Sequence, residues 1–501
     1  MATTQCNRST HSNKRCDRLV IIGGGSAAFA AATTAAPLAS SVHIVNKGLP
    51  MGGCCVNVGC VPSKFLIQAS HITSPHNANP PYRGFCNALN RVTDFAALTT
   101  QNRALTESLR QEKYANVIAG FDNVEYVEGH GRLIRRDGHL AVAVRQNPAD
   151  EIPYRELFAD RVILATGVHN SLPTGFVNDL LKINYLTNET AYFQTTRPES
   201  LIVLGGGYVA VETAQLFARL GSRVTLLQRS ARILSHLGDD IGIALAGYLQ
   251  DEGIEVVTGL DIVSIVASDD DKVTVTADVS GLTRPFSASR LFLATGRRAN
   301  TAHVSDIPIQ VADTPDGGFV VSATLETSVA GVYAAGDCVA ESPQYVYTAA
   351  AEGKLAALNA LTSLNGLQEE HMDYSVVPWV VFSSPAVAGV GLDLAAANAR
   401  GIDAEASSIP LSLLPRAIVQ QDTRGFVTLI RNRKDDTIIG AGVLAEEGGE
   451  LVMEAALCVR YKVKAKEVAA MFHPYLTWNE AWKLAALGFA KNVKQLSCCA
   501  T

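Results

Sequence analysis

The chain has 501 residues, room for roughly three domains at about 150 residues each, and its 48% hydrophobic and 18% charged content is that of an ordinary globular protein. A formal net charge of −6, with no basic cluster beyond Lys14-Arg15, argues against nucleic acid as a partner and for a small soluble substrate. No apolar run reaches roughly 18 residues without a charge, so no membrane span is expected.

Residues 1 to 17, MATTQCNRSTHSNKRCD, are polar and lack the apolar stretch a secretory signal needs. They read as a disordered tail, with a transit peptide as the lesser alternative. The adjacent cysteines Cys54-Cys55 and Cys498-Cys499 would scramble in an oxidising compartment, so a cytoplasmic location is expected.

Residues 18 to 32, RLVIIGGGSAAFAAA, predict an apolar strand, a glycine turn and an alanine-rich helix. This is the G-x-G-x-x-A dinucleotide turn: Gly23 permits the tight turn, Gly25 lets the backbone approach a pyrophosphate, and Ala28 lets helix pack closely on strand. The next strand, HIVNK, places Asn46 where a ribose-binding carboxylate is expected. An amide still bonds a hydroxyl, but without charge assistance, so a weaker hold on adenosine is expected.

Residues 52 to 64, GGCCVNVGCVPSK, put Cys54, Cys55 and Cys60 within seven positions. Cysteines this close mean a metal site or a redox pair; a zinc site would need two further ligands, and no second C-x-x-C or nearby His pair supplies them. A cysteine at a helix start with a lysine nearby is expected to be a thiolate at neutral pH. VILATG, residues 162 to 167, is a buried-type strand ending in Thr166-Gly167.

A second dinucleotide turn follows in LIVLGGGYVAVETAQLF, residues 201 to 217, with Gly205, Gly207 and Ala210 in the same roles. Two such turns suggest two nucleotide-binding domains, one for a flavin and one for a nicotinamide. The strand after the second turn ends at Gln228-Arg229, with Arg232 close behind, where an NAD-binding unit would carry Asp or Glu. Basic residues there suit the extra phosphate of NADPH, the alternative being two solvated arginines on a loop. LFLATG, residues 291 to 296, repeats the strand-Thr-Gly pattern, and GVYAAGDC, residues 331 to 338, sets Asp337 at a strand end, where a carboxylate suits a ribityl hydroxyl. The period-2 run VTLIRNRKDDTIIGAGVLA and the helical tail after it read as α+β.

In this order, the cysteine motif, the two glycine turns and AAGDC resemble the flavin-dependent pyridine nucleotide-disulfide oxidoreductases across residues 18 to about 480. Within that family PQYVYTAAAEG, LPRAIVQQDTRGF, PYLT and the terminal KNVKQLSCCAT are similar to the mercuric ion reductase subgroup, without the Cys-x-x-Cys domain often found at its N-terminus. The resemblance implies an α/β fold with two Rossmann-like domains, for FAD and NADPH, and a C-terminal α+β dimerisation domain. The boundaries it implies are a tail at 1–17, an FAD domain at 18–180, an NADPH domain at 181–298, a return to the FAD domain at 299–375 and an interface domain at 376–501.

It also implies site residues. Cys55 and Cys60 are the redox pair, Cys60 towards the flavin and Cys55 towards the substrate. Lys64 lies near the reactive edge of the flavin, with Glu212 as its partner. Gly48, Gly53, Cys54, Gly131, Thr166, Gly167, Asp337 and Val346 line the flavin site. Cys54 stands where the family usually has Thr and is expected to be a small buried side chain. Cys498 and Cys499 take Hg(II) from small thiols and pass it to Cys55 and Cys60 of a partner subunit, which makes the protein a homodimer; a soft ion suits thiolate donors. Tyr208 and Tyr475 match positions for phenols at the nicotinamide pocket or the metal, although core packing would account for either.

His473-Pro474 departs from the subgroup. Disulfide-reducing relatives use such a histidine as a general base, which makes His473 a candidate catalytic residue. The orienting carboxylate they place five residues later is Trp478 here, with Glu480 two further on. Without that partner His473 is expected to be a structural or surface residue. Three readings follow: NADPH-dependent reduction of Hg(II) to Hg(0); reduction of a small disulfide such as glutathione; and a thiol protein that sequesters soft metals.

Overall fold

In a computed structural model, which describes residues 17–74, 94–267, 272–363 and 368–493, the run RLVII forms the strand Arg18–Ile22. It is the central strand of a parallel five-stranded sheet in the order Val332–Ala334, Arg161–Leu164, Arg18–Ile22, Ser41–Asn46, Val124–Glu128. Leu19, Val20, Ile21, Val162, Ile163 and Leu164 are fully buried. Burial on both faces is why these strands read as unbroken apolar runs, and each such side chain contributes about 1.5–3 kcal/mol. This sheet belongs to a compact unit made of Met1–Ser63, Thr99–Ser171 and Gly296–Met372. The unit also holds an antiparallel sheet of His130–Arg136, His139–Arg145 and Arg155–Ala159.

Helix Ser26–Ala35 lies against helix Val346–Ser363 in the same unit. The contact is close because it is made by residues with little or no side chain: Ala27, Ala28, Ala31 and Ala32 from one helix, Ala356, Ala357 and Ala360 from the other.

The second unit comprises Lys64–Leu98, Leu172–Thr295 and Asp373–Thr501. Its parallel sheet runs in the order Glu255–Thr258, Arg223–Gln228, Ser200–Leu204, Arg290–Leu293. A three-stranded meander, Leu260–Ala267, Val273–Val279 and Leu282–Ala288, accompanies it. The period-2 segment forms strands Phe426–Asn432 and Ile438–Ala445 of an antiparallel five-stranded sheet. Helices Gly448–Arg460 and Glu480–Leu487 pack on it around Trp482, which is fully buried with its Nε1 donating to the carbonyl of Leu451 at 3.0 Å.

Gly353 has no room for a side chain, since a Cβ there would overlap the carbonyl oxygen of Ala27. Gly353→Ala should therefore lower stability by about 1–3 kcal/mol, seen as a lower thermal midpoint; an unchanged midpoint would mean that the two helices can move apart.

Candidate active site

Each glycine of the first turn has its own task. Gly23 has φ +127°, and a Cβ there would overlap the carbonyl oxygen of Ala165, so only glycine passes this neighbouring strand. A Cβ on Gly24 would lie 2.5 Å from Cγ of Asn46. Gly25 caps helix Ser26–Ala35 with extended backbone and no side-chain capping bond, which keeps the first helical amides available to an anion. Ala28 is fully buried. A Cβ on Gly53 would stand 2.7 Å from Cα of Gly25, so the helix bearing the cysteines begins directly against the turn.

The backbone around this turn is bare in a way that fits a dinucleotide. Gly48 and Gly167 both have positive φ and nothing within 4 Å of where a Cβ would stand. Gly131 is packed close, a Cβ there falling 3.0 Å from Val45. Thr166 is bracketed by Asn300: its Oγ1 donates to the Asn300 carbonyl at 2.7 Å and its own carbonyl accepts from Nδ2 at 2.9 Å. Asp337 is held 3.0 Å from Nη1 of Arg297; burial pushes its carboxyl up and Arg297 only partly offsets this. Val346 is exposed as the first residue of helix Val346–Ser363.

The second turn repeats the design. Gly205 has φ +125° against the carbonyl of Ala294, and Gln228 covers Gly206 as Asn46 covers Gly24. Gly207 caps helix Tyr208–Arg219 without a side-chain bond, and Ala210 is fully buried. The Leu234 amide donates to the Gly206 carbonyl at 2.7 Å, which folds the arginine loop back to the turn with Arg229 exposed and Arg232 half-buried. An uncapped helix with arginines beside it fits a phosphorylated nicotinamide dinucleotide.

Cys55 lies in the six-residue helix Gly53–Val58 and Cys60 opens the helix Cys60–Ser70, with Gly59 as the joint. Both are free thiols, and the two side chains are in hydrogen-bonding contact. Buried Asn57, between them in sequence, donates to the carbonyls of Pro50, Met51 and Gly53 at 3.1, 3.0 and 2.8 Å and fixes the loop that delivers the pair.

Two sequence families match this chain: pyridine nucleotide-disulphide oxidoreductase over residues 17–353, and the dimerisation domain of the same family over residues 377–486. The chain belongs to the pyridine nucleotide-disulphide oxidoreductases. Similar proteins include a mercuric reductase from Shewanella putrefaciens, 36% identical over 99% of this chain and 85% of the relative. Another is a mercuric reductase from Streptomyces lividans, 38% identical over 96% of this chain and 98% of the relative. In fold the chain is similar to a variant of RclA, a HOCl-induced flavoprotein disulfide reductase from Escherichia coli, in its Cu(II) complex, with a TM-score of 0.80, 22% identity, and 95% and 99% of the two chains covered.

In this oxidoreductase the cysteine that opens a helix with the lysine nearby is Cys60, four residues before Lys64. The bond to Cys60, then burial, then the charge of the neighbouring sulfurs push the Cys55 thiol far above the ordinary cysteine range. Two sulfurs in contact titrate as a pair, and the last proton of that pair is held tightly. Cys54 is half-buried rather than packed away. Lys64 Nζ is 2.7 Å from Oε2 of buried Glu212 and 4.7 Å from the Phe382 ring centroid, and the other oxygen of Glu212 accepts the Phe382 amide at 2.9 Å.

The Tyr208 ring is flanked by His236 at 5.0 Å and stacked on Trp379 at 6.1 Å. Tyr475 is 52% exposed. The expectation that His473 lacks an orienting carboxylate is overturned. Its Nε2 lies 2.8 Å from Oε1 of Glu454, its side chain is only 4% exposed, and Asn479 donates to the other oxygen of Glu454 at 2.7 Å. The bond to Glu454 raises the His473 pKa against burial. Burial pushes Glu454 up, but the bonds from His473 and Asn479 outweigh it and leave its carboxyl below the ordinary value. Glu454 was missed because it comes from helix Gly448–Arg460, 19 residues upstream of His473. Glu352, fully buried and accepting the Gly336 amide at 2.6 Å beside Asp337, was missed because a lone Glu in a helix carries no signal. Cys498 and Cys499 lie outside the described residues.

Cys60→Ser removes the sulfur that keeps the proton on Cys55. The ultraviolet absorbance of the Cys55 thiolate should then appear at least about one pH unit lower than in the reduced wild type; an unchanged titration would mean that burial alone sets it.

Proposed function

We propose that this oxidoreductase reduces Hg(II) to Hg(0) with electrons from NADPH. The observation that carries the reading is the pair of free thiols, Cys55 and Cys60, in contact at the helix that begins against the first glycine turn. Its relatives named mercuric reductase, 36% identical over 99% of the chain in one case, support the metal as substrate. The balance is NADPH plus a mercuric bis-thiolate and one proton giving NADP⁺, Hg(0) and two thiols.

The residues divide the work. The uncapped helix starts behind Gly25 and Gly207 would hold pyrophosphates, Asp337 would meet a ribityl hydroxyl, and Arg229 and Arg232 would take the additional phosphate. FAD, when bound, passes the electron pair of NADPH on to the thiol-bound ion. Cys55 and Cys60 bind Hg(II) as two soft ligands, and the proton the pair retains leaves as the metal displaces it. Glu212 fixes Lys64, and Asn57 fixes the cysteine loop. Cys498 and Cys499 deliver the ion by thiol exchange.

The protein works as a homodimer. Helix Gly448–Arg460 presents exposed Met453 and Leu457, followed by exposed Tyr461, Met471 and a fully exposed Phe472, an apolar surface suited to a second copy. None of the described helices is long and apolar enough to cross a membrane. Free neighbouring cysteines at Cys54 and Cys55 suit a reducing, cytoplasmic compartment.

One observation favours a second reading, reduction of a small disulfide: His473 has its carboxylate in Glu454, as a base that returns a proton to a leaving thiolate would need.

Anaerobic NADPH oxidation separates the two. With mercuric chloride in excess small thiol, the wild type should turn over and both Cys55→Ala and the Cys498→Ala/Cys499→Ala variant should lose at least about tenfold. Oxidation driven by glutathione disulfide alone would establish the second reading and sink the first. His473→Phe should leave mercury turnover unchanged, whereas a disulfide reductase would lose about 10²-fold or more. A purified protein that binds mercury without flavin colour would point to sequestration instead.

A further inference from the structure

The departure at Asn46 is built into its surroundings. Gly48, with φ +98°, turns the chain after strand Ser41–Asn46 so that the carbonyl of Leu49 comes back onto the Asn46 side chain, accepting from Nδ2 at 2.9 Å. A carbonyl only accepts, so this bond fixes which end of the amide is nitrogen. The second hydrogen of Nδ2 goes to Oη of Tyr126, also 2.9 Å away, on the adjacent strand Val124–Glu128. Both donors are thereby engaged. The amide lies over the middle of the dinucleotide turn, Nδ2 and Oδ1 each 2.8 Å from the position a Cβ of Gly24 would take, and among the described residues nothing donates to Oδ1.

A carboxylate at this place would set an anionic oxygen against the Leu49 carbonyl, two acceptors with no proton between them. The carboxylate that dinucleotide turns ordinarily use for the ribose is therefore disfavoured by this chain's own backbone.

We propose that Leu49 and Tyr126 lock Asn46 as an amide whose Oδ1 accepts a ribose hydroxyl of FAD, and that a carboxylate there weakens the hold on FAD. Tyr126 is then a positioning residue. The inference rests on the reading of the first turn as the FAD site.

The test uses the purified holoenzyme and follows flavin release into FAD-free buffer by fluorescence. Asn46→Asp should release FAD about tenfold faster than wild type at about pH 8. At about pH 5 its release should slow towards the wild-type rate, because the introduced carboxyl, facing a carbonyl, has a raised pKa and, once protonated, can donate to Leu49. The titratable groups at this end of the two strands are Lys47 and Glu128, an exposed pair 2.7 Å apart, and Tyr126, a neutral phenol that burial pushes further up. His43 and Glu125 are on the opposite face by strand alternation. Tyr126→Phe adds no charge and should speed release about threefold at both pH values, which keeps the test open if the Asn46→Asp variant is too unstable to purify. Release from Asn46→Asp no faster than wild type, or faster by one factor at both pH values, would overturn the proposal, as would a Tyr126→Phe protein that holds FAD like wild type. A wild-type protein isolated without flavin would instead remove the FAD reading itself.

Discussion

The rest of the structure depends on one kind of contact: a backbone carbonyl pressed against a glycine that has no side chain. Ala165 presses on Gly23 and Ala294 on Gly205, each in its own compact unit. In both places a parallel strand ends, the chain turns with positive φ, and a helix begins with its first amides uncapped. Any Cβ would push the strand and the turn apart and carry the helix start away from a phosphate. Gly53 extends the same logic to the cysteine helix, whose first residue touches Gly25. The cysteine helix and the dinucleotide turn are thus joined by contacts that tolerate no added atom.

Charge is handled differently, by pairing it where water is scarce. Arg219 and Glu252, 3% and 6% exposed, lie 2.6 Å apart, and Gln215 donates to Glu252 at 3.0 Å and to the Ser384 carbonyl at 2.8 Å. Such a buried pair is no large source of net stability, but breaking it would leave one charge stranded at a cost of about 3–5 kcal/mol. Glu212, in the same helix, shares its two oxygens between Lys64 and the Phe382 amide. Helix Tyr208–Arg219 therefore carries a dinucleotide turn at its start and anchors for distant segments along its length.

Cys55 and Cys60 show the same economy of protons. Their contact and burial push the Cys55 thiol up, so the two sulfurs titrate as one coupled site. Cys55, inside its helix and in contact with a second sulfur, is pushed up by that contact and by burial.

The sequence by itself determined whatever is local and repeated: apolar runs that become buried parallel strands, glycines at fixed offsets that become dinucleotide turns, alternation in residues 426 to 445 that becomes an antiparallel sheet, and a cysteine spacing specific enough to mark a family. These follow from backbone sterics and side-chain period, which a few neighbouring residues settle among themselves. Only the tertiary structure decided how distant groups meet: Glu454 with His473, Tyr126 with Asn46, Glu352 with the amide before Asp337. A hydrogen bond requires atoms about 3 Å apart, and residues 16, 19 or 80 positions apart reach that distance only once strands and helices are packed, so no pattern along the chain announces it.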